Sequence, residues 1–234
     1  MTALCVESLS AGYRGVPVVR GVSFSAEAGA VVAVLGSNGA GKSTLLNAIA
    51  GLLGVMAGTV RLRGQDVSRQ PAHARAREGL ALVPQDRGIA RRLTVAENLR
   101  LLPRRAGAAV DAAVELFPAL GSLLRRPAGL LSGGEQQMLA LARVLVLEPP
   151  VLLVDEMSAG LAPQAVESLF EAVRRVVEQR RAAVVLVEQH ADLALELADR
   201  ALVLRHGEQA IWGTAADVLE HPEVLESTYL GGTR

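Results

Sequence analysis

The chain has 234 residues, 50% of them hydrophobic, and its 24 Lys plus Arg balance 24 Asp plus Glu for a formal net charge of zero. That apolar content suffices for a large core in one or two compact domains, and the charge balance lacks the basic footprint of a nucleic-acid binder. A single cysteine, Cys5, excludes an internal disulfide and fits a reducing cytosol. Residues 1–7 lack the basic and apolar regions of a secretory signal. Apolar runs such as 182–187 and 151–154 fall far short of the roughly 18 residues a membrane span needs. The chain is not expected to cross a membrane, although it can still dock on one.

In chain order, residues 4–9 alternate like a half-buried strand, with Cys5 read as a small core residue, and 16–26, opened by Pro17, read as a second strand. The apolar run 30–35 then enters Gly36-Ser37-Asn38-Gly39-Ala40-Gly41-Lys42-Ser43-Thr44, and a helix follows. Strand, glycine-rich loop and helix around G-x-x-x-x-G-K-S form the pattern of a phosphate-binding P-loop. Its glycines let successive N–H groups turn inward as a nest for anionic oxygens. The helix beginning near Lys42 adds unpaired N–H groups and partial positive charge. Lys42 is predicted to reach the β- and γ-phosphates, Ser43 to ligate Mg²⁺, and Thr44 to bond the α-phosphate.

Residues 58–63 read as a third strand ahead of the turn at Gly64, so an antiparallel sheet is expected beside an α/β core. After 80–83, ending at Pro84-Gln85, the pattern changes. Thr94 with Glu97 is a capping box, and 94–128 reads as helices with Pro and Gly breaks; 86–130 is an inserted, mostly helical region. Leu131-Ser132-Gly133-Gly134-Glu135 opens a long apolar-periodic helix. Ser132 and Glu135 fit a capping box, and the two glycines also bare the helix start to a phosphate. With one phosphate loop already at 36–44, a second anion-binding helix start suggests that two chains share a nucleotide.

The run 151–154 is an apolar strand ending in Asp155-Glu156. An aspartate at the carboxyl end of a buried parallel strand can face Mg²⁺ beside a P-loop, and Glu156 is placed to act as general base on water. Helix 163–180, strand 183–188, helix 191–198 and strand 201–205 follow, an alternation that implies a parallel sheet with crossover helices. The tail reads as a turn at His206-Gly207, a short strand, and helices near 214–220 and 222–230.

The P-loop, Leu131-Ser132-Gly133-Gly134-Glu135 and the Asp155-Glu156 strand, in this order and spacing, resemble the ATP-binding subunit of an ABC transporter, and the likeness runs over essentially the whole chain. The resemblance implies one ABC ATPase domain of the α/β class, with a P-loop NTPase core. That core is a mostly parallel sheet with flanking helices, carrying an antiparallel β side-sheet and an inserted helical subdomain. Residues 1–85 and 149–234 are assigned to the core and about 86–148, signature included, to the helical subdomain. It also implies a head-to-tail dimer closing on two ATP molecules with Mg²⁺. Each ATP is held by the loop of one chain, residues Gly36, Ser37, Asn38, Gly39, Ala40, Gly41, Lys42, Ser43 and Thr44, and in trans by Ser132, Gly133, Gly134 and Glu135 of the other. Tyr13 corresponds to the residue that stacks on adenine, and Gln85 to the glutamine that contacts Mg²⁺ or the lytic water and faces the membrane subunit. Mg²⁺ ligands are then Ser43, Gln85 and Asp155, and Glu156 is the catalytic base.

Two positions depart from the family pattern. Met157 stands where proline usually follows the catalytic glutamate, giving that loop an extra N–H and a freer φ. The switch position, usually His, falls on Gln189, or on His190 if the register slips by one. Gln can donate to a γ-phosphate oxygen but cannot become cationic. Glu188-Gln189-His190, 160–163, 136–140 and Tyr229-Leu230-Gly231 resemble the short ATPases of branched-chain amino-acid importers, or of relatives importing urea or short amides. The likeness implies a peripheral protein on the cytoplasmic face of the membrane. Its partners are permease subunits docking near Gln85 and the helical subdomain, a second ATPase subunit in a homo- or heterodimer, and, indirectly, a solute-binding protein. A soluble ABC ATPase of DNA repair or translation would carry a second cassette, a coiled-coil insertion or a basic surface. A P-loop kinase or GTPase would leave 131–135 unexplained, and a non-catalytic ATP-binding partner would typically have lost Glu156.

Overall fold

The structure, a computed structural model, describes residues 1–102, 109–189 and 191–220. The chain begins with a long hairpin, β1 (Thr2–Tyr13) and β2 (Val16–Glu27), closed at Arg14 and Gly15 with φ of 52° and 82°. Two successive positive φ values match the right-handed twist of the strands on either side. β3 (Val31–Leu35) then leads through the glycine-rich loop into α1 (Lys42–Ala50), and β4 (Val55–Leu62) and β5 (Gln65–Asp66) follow. The order β2-β1-β4-β5 makes a four-stranded antiparallel sheet.

After α2 (Ala72–Arg77) and β6 (Leu80–Val83) come α3 (Val95–Arg100), α4 (Ala109–Leu116) and α5 (Gly133–Leu145). β7 (Val151–Asp155), α6 (Pro163–Arg180), β8 (Ala183–Val187), α7 (Ala191–Leu197), β9 (Arg200–Arg205), β10 (Glu208–Thr214) and α8 (Ala215–Leu219) complete the described chain. The second sheet runs β10-β9-β3-β8-β7-β6, parallel throughout except for β10, which turns back on β9. Every residue of β3, β7 and β8 is buried, as parallel strands covered on both faces must be.

Alternation along β3 serves two cores. Val31, Ala33 and Leu35 pack with Leu139 and Leu141 of α5 and Leu169 and Val173 of α6. Val32 and Val34 pack with Leu45, Leu46 and Ile49 of α1 and with Leu4, Val6 and Phe24 of the antiparallel sheet. Each buried Leu or Ile contributes about 1.5–3 kcal/mol relative to exposure, so α1 is held firmly between two sheets.

Several details differ from the sequence reading. Cys5 is not a core residue: Leu4 and Val6 face inward, whereas Cys5 is partly exposed with its Sγ 3.8 Å from Glu7 Oε1. Period-two alternation places it on the glutamate's face. β4 starts at Val55, earlier than position 58, because Gly58 lies inside the strand. It sits at φ 85° where the β1–β4 register shifts, and a Cβ there would lie 2.3 Å from the Ser8 carbonyl oxygen, which is a bulge, not a strand end. The stretch 94–128 is less helical than expected. α3 keeps its Thr94–Glu97 capping box, but Pro118–Leu123 and Ala128–Leu130 are 3-10 segments. The helix expected at 222–230, like His190, lies outside the described residues.

Candidate functional site

Because β3, β6, β7 and β8 are parallel, their carboxyl ends gather at one edge of the sheet, where open α/β sheets bind ligands. An open cleft of about 420 Å³ lies there, lined by Tyr13, Val18, Asn38, Gly39, Gly41, Lys42, Ser43, Thr44, Gln85, Glu156 and Gln189. The antiparallel sheet supplies Tyr13, 52% exposed at the rim. Gly41 precedes α1 at φ 101°, and a Cβ there would meet the Val19 side chain at 2.7 Å. Only glycine fits both the left-handed conformation and that contact.

The charged groups converge at the loop's mouth. Lys42 is 5% exposed; its Nζ donates to the carbonyl oxygens of Gly36 (2.7 Å) and Ser37 (3.1 Å) and lies 3.9 Å from Glu156 Oε1. Burial lowers the lysine's pKa, against the opposing pull of Glu156, Asp155 and Glu188. Ser43 Oγ donates to Asp155 Oδ1 at 3.2 Å. Burial pushes the Asp155 carboxyl up, with the Ser43 hydroxyl pulling it back. Both groups therefore sit where a polyanion and a divalent cation would relieve their desolvation.

Glu156 is buried and adopts φ 49°, a left-handed conformation that costs a non-glycine residue about 1 kcal/mol or more. Its N–H donates to the Val187 carbonyl at 2.9 Å, and its Oε2 accepts from Gln85 Nε2 (2.7 Å) and Gln189 Nε2 (2.9 Å). Three strand ends thus aim one carboxylate at the cleft. Ser43 and Asp155 form an all-oxygen donor pair that fits Mg²⁺, a hard cation. Among the described residues no cluster of three or more His, Cys, Asp or Glu gathers for a metal. The remaining ligands at such a site would be Gln85, phosphate oxygens and water, as suits Mg²⁺ with nucleotides.

Ser132, Gly133, Gly134 and Glu135 do not line this cleft. Ser132 caps α5 with the predicted capping box: its Oγ accepts from Glu135 N at 3.3 Å, and Glu135 Oε2 accepts from Ser132 N at 2.7 Å. A Cβ on Gly134 would lie 2.8 Å from that of Ala165 in α6, so helix packing alone demands its small size.

Some contributors escaped the sequence reading. Arg87 donates through Nη1 to Gln136 Oε1 (2.7 Å) and through Nε to Gln137 Oε1 (3.2 Å), and Arg143 Nη1 donates to the Gly88 carbonyl at 2.7 Å. These bonds tie the loop after Gln85 to α5. The adjacent glutamines right after the signature were the available signal, since two buried amides in a helix need partners. Val18 carries no motif, and only the fold brings it to the cleft.

Fold and cleft together define a P-loop nucleotide-binding ATPase. The pattern described as "ABC transporter" matches residues 19–159. The chain is 39% identical over 228 residues to the probable branched-chain amino acid transport ATP-binding protein LivF of Archaeoglobus fulgidus, covering 95% of this chain and 96% of that one. It is 38% identical over 234 residues to the high-affinity branched-chain amino acid transport ATP-binding protein BraG of Pseudomonas aeruginosa, covering 98% and 100%. The lipopolysaccharide export system ATP-binding protein LptB of Escherichia coli K12 is 33% identical over 241 residues, covering 99% and 98%. A nucleotide-free ATP-binding cassette from an ABC transporter superposes with a TM-score of 0.84 at 26% identity, covering 97% of this chain and 98% of that one. The chain belongs to the ABC transporter family, as an ATP-binding subunit.

Proposed function

We propose that this protein is the Mg²⁺-dependent ATPase subunit of an importer for branched-chain amino acids. The observation that carries the catalytic part is Glu156, buried beside Lys42 and gripped by the amides of Gln85 and Gln189 at the mouth of the loop. In this reading the loop's N–H groups and Lys42 hold the phosphates of ATP and Tyr13 stacks on adenine. Ser43, Asp155 and Gln85 hold Mg²⁺, which when bound neutralises phosphate charge. Glu156 takes a proton from water as the water oxygen bonds to the γ-phosphorus and the bond to the β-phosphate bridging oxygen breaks. Gln189 fills the switch position. Ser132, Gly133, Gly134 and Glu135 complete the site of a second ATPase subunit in trans, making hydrolysis depend on dimer closure.

We assign 1–85 and 149–234 to the ATP-binding core and about 86–148 to a helical subdomain that meets the permeases near Gln85. The protein then works at the cytoplasmic face of the membrane, with a solute-binding protein delivering cargo to the permeases. Among the described residues no helix is long and apolar enough to cross a membrane. Support for the cargo comes from the names of the LivF and BraG relatives, more similar to this chain than the LptB relative. The test pairs ATPase assays with uptake of labelled leucine, isoleucine and valine in cells carrying the wild-type chain or Glu156→Gln. Hydrolysis should fall by about a hundredfold or more with ATP still bound, and uptake should fall with it. A Glu156→Gln chain that hydrolyses normally sinks the mechanism. Branched-chain uptake indifferent to the variant, with urea or amide uptake lost, moves the cargo to that alternative.

A further inference from the structure

We propose that Glu188 is a positioning residue for hydrolysis: its carboxylate holds Ser158 while the adjacent Gln189 binds Glu156, and so Glu156 is kept in place from both sides. The inference rests on the reading of Glu156 as the base. Glu188 directly follows β8 and is 1% exposed, although it does not line the cleft. Its Oε1 accepts the N–H of Ser158 at 3.1 Å and its Oε2 accepts the Ser158 hydroxyl at 2.6 Å. The adjacent Gln189 backbone adds a small downward pull on the same carboxyl. Gln189 in turn donates its side-chain amide to Glu156 Oε2 at 2.9 Å, and Glu156 N–H donates to Val187 O at 2.9 Å. The bonds close a ring across two neighbouring strand ends: Glu156 to Val187, Glu188 to Ser158, and Gln189 back to Glu156.

The ring accounts for two observations that packing alone leaves open. Glu156 stays at φ 49°, and a buried residue in the left-handed region persists there where the surrounding structure over-determines it. The β7–β8 ladder pins the near side, where Asp155 pairs with Val187, and the Ser158–Glu188 bonds pin the far side. Second, acids are almost never buried without a compensating role. Burial pushes the Glu188 carboxyl up and the Ser158 donors pull it back. An apolar side chain at this strand end would fold at lower desolvation cost. One of the two donors is a backbone N–H that cannot turn round. An amide would have to give its oxygen to that N–H and turn its own N–H to the Ser158 hydroxyl, replacing two charge-assisted bonds with weaker neutral ones.

The experiment compares wild type, Glu188→Gln, Ser158→Ala and Gln189→Ala in the full chain, with the Glu188→Gln/Gln189→Ala double variant and Glu156→Gln alongside. For Glu188→Gln we expect kcat to fall by about tenfold, as a misplaced catalytic group would cost, with KM for ATP and the thermal midpoint near wild type. Ser158→Ala, which removes one donor of two, should lose less. In the Gln189→Ala background Glu188→Gln should cost less than it does alone, since one of its two routes to Glu156 is already gone. Wild-type kcat in Glu188→Gln overturns the inference, as does a loss that persists in full once Gln189 is gone. Should Glu188→Gln fail to fold, Ser158→Ala decides: reduced kcat at unchanged KM supports the role, and unchanged kcat refutes it. An active Glu156→Gln would instead remove the underlying reading of the base, whereas an inactive Glu156→Gln beside a fully active Glu188→Gln removes only this inference.

Discussion

Arg75, in α2 and far from any motif, fixes the back of α1, the helix after the glycine-rich loop. It is 1% exposed, and its guanidinium donates to the carbonyl oxygens of Ala48 and Ile49 at the end of α1, and to those of Ser68 and Gln70. The carbonyls at a helix end have no partners within the helix, and a cation there also meets the negative end of the dipole. Arg75→Ala strands buried oxygens and opens a cavity. It should lower stability by about 3 kcal/mol, seen in a thermal melt as a drop of about 10 °C. Lysine should rescue only part, because one ammonium cannot span four carbonyls. Residues 36–44 were legible as a candidate phosphate site since their chemistry sits in consecutive positions. Arg75 was not, since its carbonyl partners acquire their positions only through folding.

At the level of elements, Arg87 and Arg143 tie the loop after β6 to helix α5. Gln85, next to that tie, donates to Glu156 at 2.7 Å, so the position of α5 bears directly on the carboxylate. Arg87→Ala should leave the Ser132 capping box intact while freeing the loop. Hydrogen exchange should report local opening in the first turn of α5 made easier by about 2 kcal/mol, together with a several-fold slower hydrolysis rate. Unchanged exchange at α5 would show that the tie carries no load. Both capping boxes, at Thr94 and Ser132, were readable because a cap is a contact between residues three apart. The lengths of the helices around 94–128 were not, because Pro and Gly mark breaks without saying whether a 3-10 turn or an α-helix resumes.

Over the whole molecule, the two cores meet along β3, the strand that feeds the loop, so ligand binding at the loop should stabilise the protein globally. ATP with Mg²⁺ at a hundred times its dissociation constant contributes about 2.7 kcal/mol, or a rise of about 5–10 °C in the melt. Lys42→Ala should abolish the rise, and Glu156→Gln should keep it. A Lys42→Ala protein with the full shift would place ATP elsewhere.

The sequence alone determined the order of most strands and helices, the glycine-rich loop, the acidic strand end and the family. Each depends on local spacing: a turn, a cap, an alternation, a run of fixed residues. Tertiary structure alone decided which carboxyl ends of β3, β6, β7 and β8 share one edge, so that Gln85, Glu156 and Gln189, scattered along the chain, close on one another. It also decided that Cys5 faces Glu7, that Gly58 bulges within β4, and that Glu188 is buried against Ser158. Those outcomes depend on register and on contacts between distant segments, which are settled only when the sheets pair and their faces are buried.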